Sequence, residues 1–267
     1  MIKDITIGQY LPGDSFIHKL DPRVKILLAF LYIILIFLIN NFYGYLVVIA
    51  FTLLVVMLAK IPIKYLFNGI KGVIWLIIFT AVLNATLTPG KVIFKLFNLI
   101  PFTDKGIDLA LFMSMRLILL IIGTSVLTLT TSPISLTDGI ERLLNPFKKI
   151  GVPAHELAMM MTIALRFIPT LLDETDKIMK AQMARGADFD SGGIIKKAKN
   201  LIPVLVPLFI SAFRRADELA LAMESRCYRG GENRTRMKQL KTEKRDYIAI
   251  AAFIVFSIIC IISRRWR

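Results

Sequence analysis

Apolar runs with sharp edges constrain this chain more than any other feature. Residues 26–39 read ILLAFLYIILIFLI and are followed by Asn40-Asn41-Phe42-Tyr43-Gly44, a turn carrying interfacial aromatics. Further runs cover 45–59, 73–87, 107–129 and 247–262, with stops such as Lys60-Ile61-Pro62, Thr88-Pro89-Gly90 and Ser132-Pro133. A helix that crosses hydrocarbon needs about 20 mostly apolar residues. Flanking Tyr, Trp and Asn must therefore supply the interfacial turns of the shorter runs. In 267 residues too little chain remains to cover five helices that are apolar on every side. The expected fold is all-α, a polytopic membrane protein of about five spans.

Charge agrees with that division. Lys plus Arg number 34 against 19 Asp plus Glu, a net charge of +15, while 56% of residues are hydrophobic. The cations flank the apolar runs, so the bilayer and acidic protein are the expected contacts and nucleic acid is not. Cys227 and Cys260 suit neither a disulfide framework nor a zinc site. The first residues include Asp4, Asp14, His18 and Asp21, unlike a basic signal leader, and the N-terminus is expected to be retained.

Basic residues near the spans set the expected orientation. Lys19, Arg23 and Lys25, then Lys60, Lys64 and Lys71, go inside. Segment 133–245 carries 20 Lys plus Arg against 13 Asp plus Glu and goes inside too. Lys91, Lys95, Lys105 and the Arg264-Arg265-Trp266-Arg267 tail run against this scheme. The division is then a cytosolic N-terminal segment (1–25), a four-span membrane domain (26–132), a cytosolic module (133–245), and a last span with its tail (246–267).

The module is too long for a connection and too apolar for an ordinary soluble domain. Residues 134–150 form a short amphipathic pattern that closes near Gly151-Val152-Pro153. A long helix is expected over 154–185, with an apolar part LAMMMTIALRFIPTLL followed by Asp173-Glu174-Thr175-Asp176-Lys177. Asp188 to Gly193 is a loop. A second long helix over 196–226 is expected to be interrupted or kinked at Pro203 and Pro207, and 234–244 is a cationic linker. Both helices run from greasy to charged and end on small–Arg–x, as Ala184-Arg185-Gly186 and Ser225-Arg226-Cys227, with the arginines 41 positions apart. Arginine at a helix C-terminus complements the macrodipole. Two such ends in one module also suit a docking device, because a guanidinium beside a small residue can enter a carboxylate-lined groove and bind it bidentately. A partner with two similar grooves, such as a dimeric motor, fits the pair.

Other chemistry finds little support. No Gly-x4-Gly-Lys-Ser/Thr loop occurs, so ATP hydrolysis by this chain is not expected. His155-Glu156 opens like a zinc-protease motif, but Met159 stands where the second histidine belongs. Acids are almost absent from the spans, apart from Asp108 and Asp246 at their edges, which disfavours a self-sufficient coupled carrier. Arg116 in the fourth span either snorkels or faces a partner. Asn84 in the third is read as an interhelical hydrogen-bonding residue. Met159-Met160-Met161, Met179, Met183 and Met223 pack helices or form a surface that re-packs against different partners. A membrane-embedded enzyme acting on lipid-like substrates is the alternative reading. Its closest acid cluster (Asp173, Glu174, Asp176, with Asp188 and Asp190) reads better as a solvated helix face and a loop.

Particular motifs then carry a resemblance. His18-Lys19-Leu20-Asp21-Pro22-Arg23-Val24-Lys25 before the first span resembles the opening of the transmembrane (T) component of energy-coupling factor (ECF) transporters, EcfT. The stretch from Thr137-Asp138-Gly139-Ile140-Glu141 through Gly151-Val152-Pro153, Ala164-Leu165-Arg166-Phe167-Ile168-Pro169, Met183-Ala184-Arg185-Gly186-Ala187-Asp188-Phe189 and Arg214-Arg215-Ala216-Asp217-Glu218 to Tyr228-Arg229-Gly230-Gly231 resembles that family's cytosolic coupling region. The resemblance implies an L-shaped, non-catalytic scaffold of an ATP-binding-cassette importer for vitamins or micronutrients. It implies two partner ATPases (EcfA and EcfA'), which hold the ATP and Mg, and a membrane substrate-binding S component, with no cofactor in this chain. Ala184, Arg185 and Gly186 would dock one ATPase, and Ser225, Arg226 and Cys227 the other. Leu157, Met160, Met161, Leu165, Leu201, Leu205, Leu208 and Phe209 would face the S component. Ser-Arg-Cys departs from the family's Ala-Arg-Gly, and cysteine is a poorer left-handed residue than glycine.

Overall fold

A computed structural model of the chain describes residues 10–96, 100–189, 193–231 and 240–263. The C-terminal tail, Asp190 and most of the cationic linker expected over 234–244 lie outside these residues. The described residues form eight α-helices: α1 (Pro22–Leu38), α2 (Phe42–Ala59), α3 (Ile63–Leu87), α4 (Asp104–Thr130), α5 (Pro133–Leu144), α6 (Ala154–Ala184), α7 (Ile194–Ser225) and α8 (Lys244–Ser263). The apolar runs lie within α1, α2, α3, α4 and α8, as their length and composition require. Between α3 and α4 the connection is a short antiparallel hairpin of β1 (Val92–Leu96) and β2 (Ile100–Thr103), small relief in an otherwise helical chain. It is tied down at its base, where Asp104 N donates to Lys91 O (3.0 Å) and the Thr103 hydroxyl to Thr88 O (2.7 Å).

Among the described residues, five helices are long and apolar enough to cross a membrane: α2, α3, α4, α6 and α8. The number matches expectation but the membership differs. α1, which holds the expected first span, has 17 residues, at the lower edge of what spans a bilayer. α6 qualifies through its apolar half, although its second half carries Asp173, Glu174, Asp176, Lys177 and Lys180. The chain forms two compact units, one comprising 8–140 with 239–267 and the other built on 141–238.

In the first unit, α3 and α4 are the most extensively packed pair; α1 and α2 also pack on α4, and α8 packs on α2 and α1. One apolar cluster centres on Tyr32, Ile36, Tyr45, Val48, Leu119, Phe253 and Phe256. Its polar atoms are accounted for: the Tyr32 hydroxyl lies 2.7 Å from Thr52 Oγ1, which donates to Val48 O. A cavity of about 240 Å³ beside this cluster, walled by residues such as Leu28, Phe51, Val55 and Val126, is almost wholly apolar. Asp21 caps α1 by accepting from Arg23 N (2.9 Å), with Pro22 at the first helical position. Asp246 of α8 accepts from Asp21 N at 2.8 Å, and so joins the two ends of the unit. Lys25 Nζ donates to His18 O, Thr130 O and Thr131 Oγ1, which satisfies all three of its protons.

Arg116 resolves into a structural role. Its guanidinium donates to Tyr45 Oη (3.0 Å), Asn40 Oδ1 (2.8 Å) and Ile39 O (3.2 Å), and sits over the Phe37 ring. It thereby supplies the cation that the last turn of α1 lacks. Asn84 departs from expectation: its amide donates to Thr80 O of its own helix (2.8 Å) rather than across to a neighbour.

Candidate functional site: two arginine-bearing helix ends

The second unit is organised by α6 and α7. Three ties at different levels show that they run antiparallel. Gln182 Nε2 reaches Pro203 O (3.5 Å), Glu174 meets Ser211 and Arg215, and His155 faces Gly231. The first of these explains a difference from the sequence reading. α7 is one uninterrupted helix from Ile194 to Ser225 with Pro203 and Pro207 inside it. Pro207 has no N–H to give to the carbonyl four residues back, which is Pro203 O. The Gln182 side chain offers a donor there instead. In the same way, residues 134–150 are not one helix: α5 ends at Leu144 and a 3₁₀ turn covers Asn145–Ile150, with Pro146 inside it.

Glu174 does more than solvate a helix face. It accepts from the Ser211 hydroxyl and from Arg215 Nη2 (3.0 Å), which pins the polar half of α6 to α7. The hydroxyl first, and the guanidinium beside it, hold the carboxyl below the ordinary glutamate range. Asp176 pairs with Lys180 one turn on, a helix-surface contact. His155 Nδ1 lies 3.0 Å from Glu141 Oε1, so the histidine of the zinc-like motif is engaged with a carboxylate of α5.

The two arginine ends share one backbone design. At the end of α6, Gly186 N donates to Met183 O (2.9 Å) and Ala187 N to Gln182 O (3.0 Å), with Gly186 at φ 88. At the end of α7, Cys227 N donates to Glu224 O (2.8 Å) and Tyr228 N to Met223 O (3.0 Å), with Cys227 at φ 58. Each is a complete Schellman motif, in which a left-handed residue lets two amides satisfy the last carbonyls of the helix. Glycine enters that conformation freely, whereas a residue with a Cβ pays roughly 1–2 kcal/mol. Ser-Arg-Cys therefore reproduces the geometry of Ala-Arg-Gly, at a cost. Arg185 and Arg226 are the C-cap residues, with nearly equal backbone angles (φ −87, ψ 6 and φ −91, ψ 14). Ala184, Arg185, Gly186, Ser225, Arg226 and Cys227 are all exposed. Because the helices are antiparallel, the ends lie at opposite extremes of the pair. The part of α7 between the level of Pro203 and Arg226 is roughly 35 Å long at 1.5 Å per residue.

The greasy halves present a second surface. Leu157, Met160, Met161, Leu201, Leu205 and Phe209 are exposed, Phe209 to 61%, while Leu165 and Leu208 are half-buried. Ile202, Val206, Ile210 and Phe213 extend the α7 face and were not singled out in the sequence. Their uninterrupted spacing through the two prolines is the signal that would have found them.

The chain matches the model of the cobalt transport protein family (CbiQ) over residues 13–237. It is 62% identical over 268 residues to the energy-coupling factor transporter transmembrane protein EcfT of Clostridium kluyveri, covering 100% of this chain and 99% of that one. Identity to the protein of the same name from Thermosediminibacter oceani is 57% over 98% of this chain and 99% of that one, and to that of Bacillus subtilis 48% over 96% and 97%.

Proposed function

This chain belongs to the energy-coupling factor transporter transmembrane protein family, as a multi-pass, non-catalytic T component, and from that premise we propose how it couples its partners. Arg185 and Arg226 dock two ATP-binding-cassette ATPase subunits, EcfA and EcfA', one at each end of the α6–α7 pair. Ala184, Gly186 and Ser225 keep the approach clear, and Cys227 takes the place of the second glycine. ATP and Mg are held by those ATPases. The exposed apolar halves of α6 and α7 cradle a membrane S component that carries the vitamin or micronutrient. The module over 133–245 is cytoplasmic, in keeping with its basic balance.

The observation that carries this reading is the repeated helix end: one Schellman geometry, built twice with different residues, each presenting an exposed arginine. A structural stop needs no second copy of the arginine. The ends face opposite extremes of an antiparallel pair, so they suit a partner whose own two sites are separated, as in a dimer. Movement between the two ATPases on ATP binding would then be passed through α6 and α7 to the apolar face.

The test is co-purification of the four-subunit assembly from membranes. A truncated charge pair in a protein interface costs about 2–5 kcal/mol, so either Arg185→Glu or Arg226→Glu alone should weaken ATPase retention by at least about 30-fold. The double change should abolish it while leaving this chain in the membrane. Full ATPase retention and ATP-driven uptake by the double variant would refute the docking assignment.

A further inference from the structure

The two arginine ends are alike in their hydrogen bonds but not in what stands behind them. Beyond Gly186 the space around the turn is open, with no atom within 4 Å of where a Cβ would be. Beyond Cys227 the chain turns again at Gly230, also left-handed at φ 83, and returns to the start of α6. There Gly231 lies flat against His155. A Cβ on Gly231 would fall 2.4 Å from His155 Cδ2, 2.6 Å from Cγ and 3.0 Å from Cβ. Nothing larger than hydrogen fits without moving the ring, and the ring is not free to move. His155 sits in the first turn of α6, and Nδ1 is held 3.0 Å from Oε1 of Glu141, a buried carboxylate in the last turn of α5. Glu141, His155 and Gly231 thus join three segments at one point, four residues beyond Cys227.

We infer that His155 is a positioning residue for the second arginine end: by seating Gly231, with its ring fixed by Glu141, it holds the segment after α7 closed and so fixes the direction in which Arg226 projects. The asymmetry has a physical logic. The first end has glycine at its left-handed position, and beyond it the Asn200 amide donates to Asp188 O (2.5 Å). The second has cysteine there, which disfavours the turn, and the Glu141–His155–Gly231 contact stands behind it. The claim about the clasp stands on geometry, and its consequence for Arg226 rests on the docking role proposed above.

The experiment compares Gly231→Ala, His155→Ala and the double variant in the full-length chain, reading backbone amide exchange by mass spectrometry. Gly231→Ala should speed exchange of the Cys227 and Tyr228 amides by at least about tenfold and leave Gly186 and Ala187 unchanged. His155→Ala alone removes the seat and should also speed exchange, and in the double variant the methyl group no longer meets a ring, so the rate should be no faster than in His155→Ala alone. His155→Gln, which keeps a donor for Glu141 but loses the ring, should fall between wild type and His155→Ala. Unchanged exchange in Gly231→Ala or in His155→Ala, equal effects at both ends, or a double variant in which the two effects simply add would overturn the clasp. In the assembled transporter, Gly231→Ala should weaken ATPase retention non-additively with Arg226→Glu but additively with Arg185→Glu. Additivity with both would overturn the positioning role even if exchange behaves as expected. If Arg226→Glu itself leaves the ATPases bound, the docking assignment fails, and the exchange data still decide the clasp.

Discussion

The two units handle exposed apolar surface in different ways. In the first, Lys25, Tyr32, Arg116 and Asp246 all find partners inside the unit, and the large outward residues are apolar on helices with few charges, as a lipid environment requires. In the second, the fully buried apolar residues are few (Ala154, Ala158 and Val204), while Phe209, Ile210 and Phe213 are exposed on a helix that also carries Lys196, Lys197, Arg214 and Arg215. Neither water nor hydrocarbon suits such a helix along its whole length. The first unit has finished its packing, and the second leaves exposed the apolar face proposed above to receive the S component.

That contrast can be broken by substitution. The largest effect should come from placing charge on the unfinished face. Met160→Asp with Phe209→Asp should reduce S-component capture by about 100-fold or more, with unaltered membrane insertion, measured by pull-down from detergent extract; loss of folding instead would make the face a core. In the finished unit, Gly123→Ala puts a methyl group 2.3 Å from the Tyr32 ring. Overpacking of that kind costs about 1–3 kcal/mol, visible as a lower thermal midpoint. Glu174→Gln weakens the α6–α7 tie by no more than about 1 kcal/mol, since the pair is partly exposed. Its carboxyl is held below the usual value of 4.5, so the tie contributes fully above that pH and is lost as pH falls beneath it. An acid titration of α6–α7 exchange should show this in the native chain and not in Glu174→Gln. Smallest is Cys227→Gly, which relieves the left-handed cysteine and should stabilise the α7 end by about 0.5–1 kcal/mol.

Much of this was legible in the residues, for reasons that differ by region. Long apolar runs admit one state in a bilayer, so α2, α4 and α8 follow from hydropathy alone. The ends of α6 and α7 are marked by Gly186 and Gly230-Gly231, and their arginines by repetition. The uninterrupted course of α7 was hidden because the donor facing the carbonyl vacated by Pro207 comes from Gln182, on another helix. The β1–β2 hairpin was hidden because Val92, Ile93 and Phe94 read equally as loop or strand without their partner. Arg116 was ambiguous until Tyr45 and Asn40 were placed beside it. The contacts of His155 were hidden because its partners lie 14 positions before it and 76 after it.

Cys227 also has a practical consequence. The chain has two thiols, and the other, Cys260, is buried among the aromatic side chains of the membrane unit. A maleimide dye or spin label added to the unmodified polypeptide should therefore land one residue from Arg226. Nature has left a reporter at the second of the proposed docking ends, and its signal could be followed through a turnover cycle without engineering a cysteine-free background.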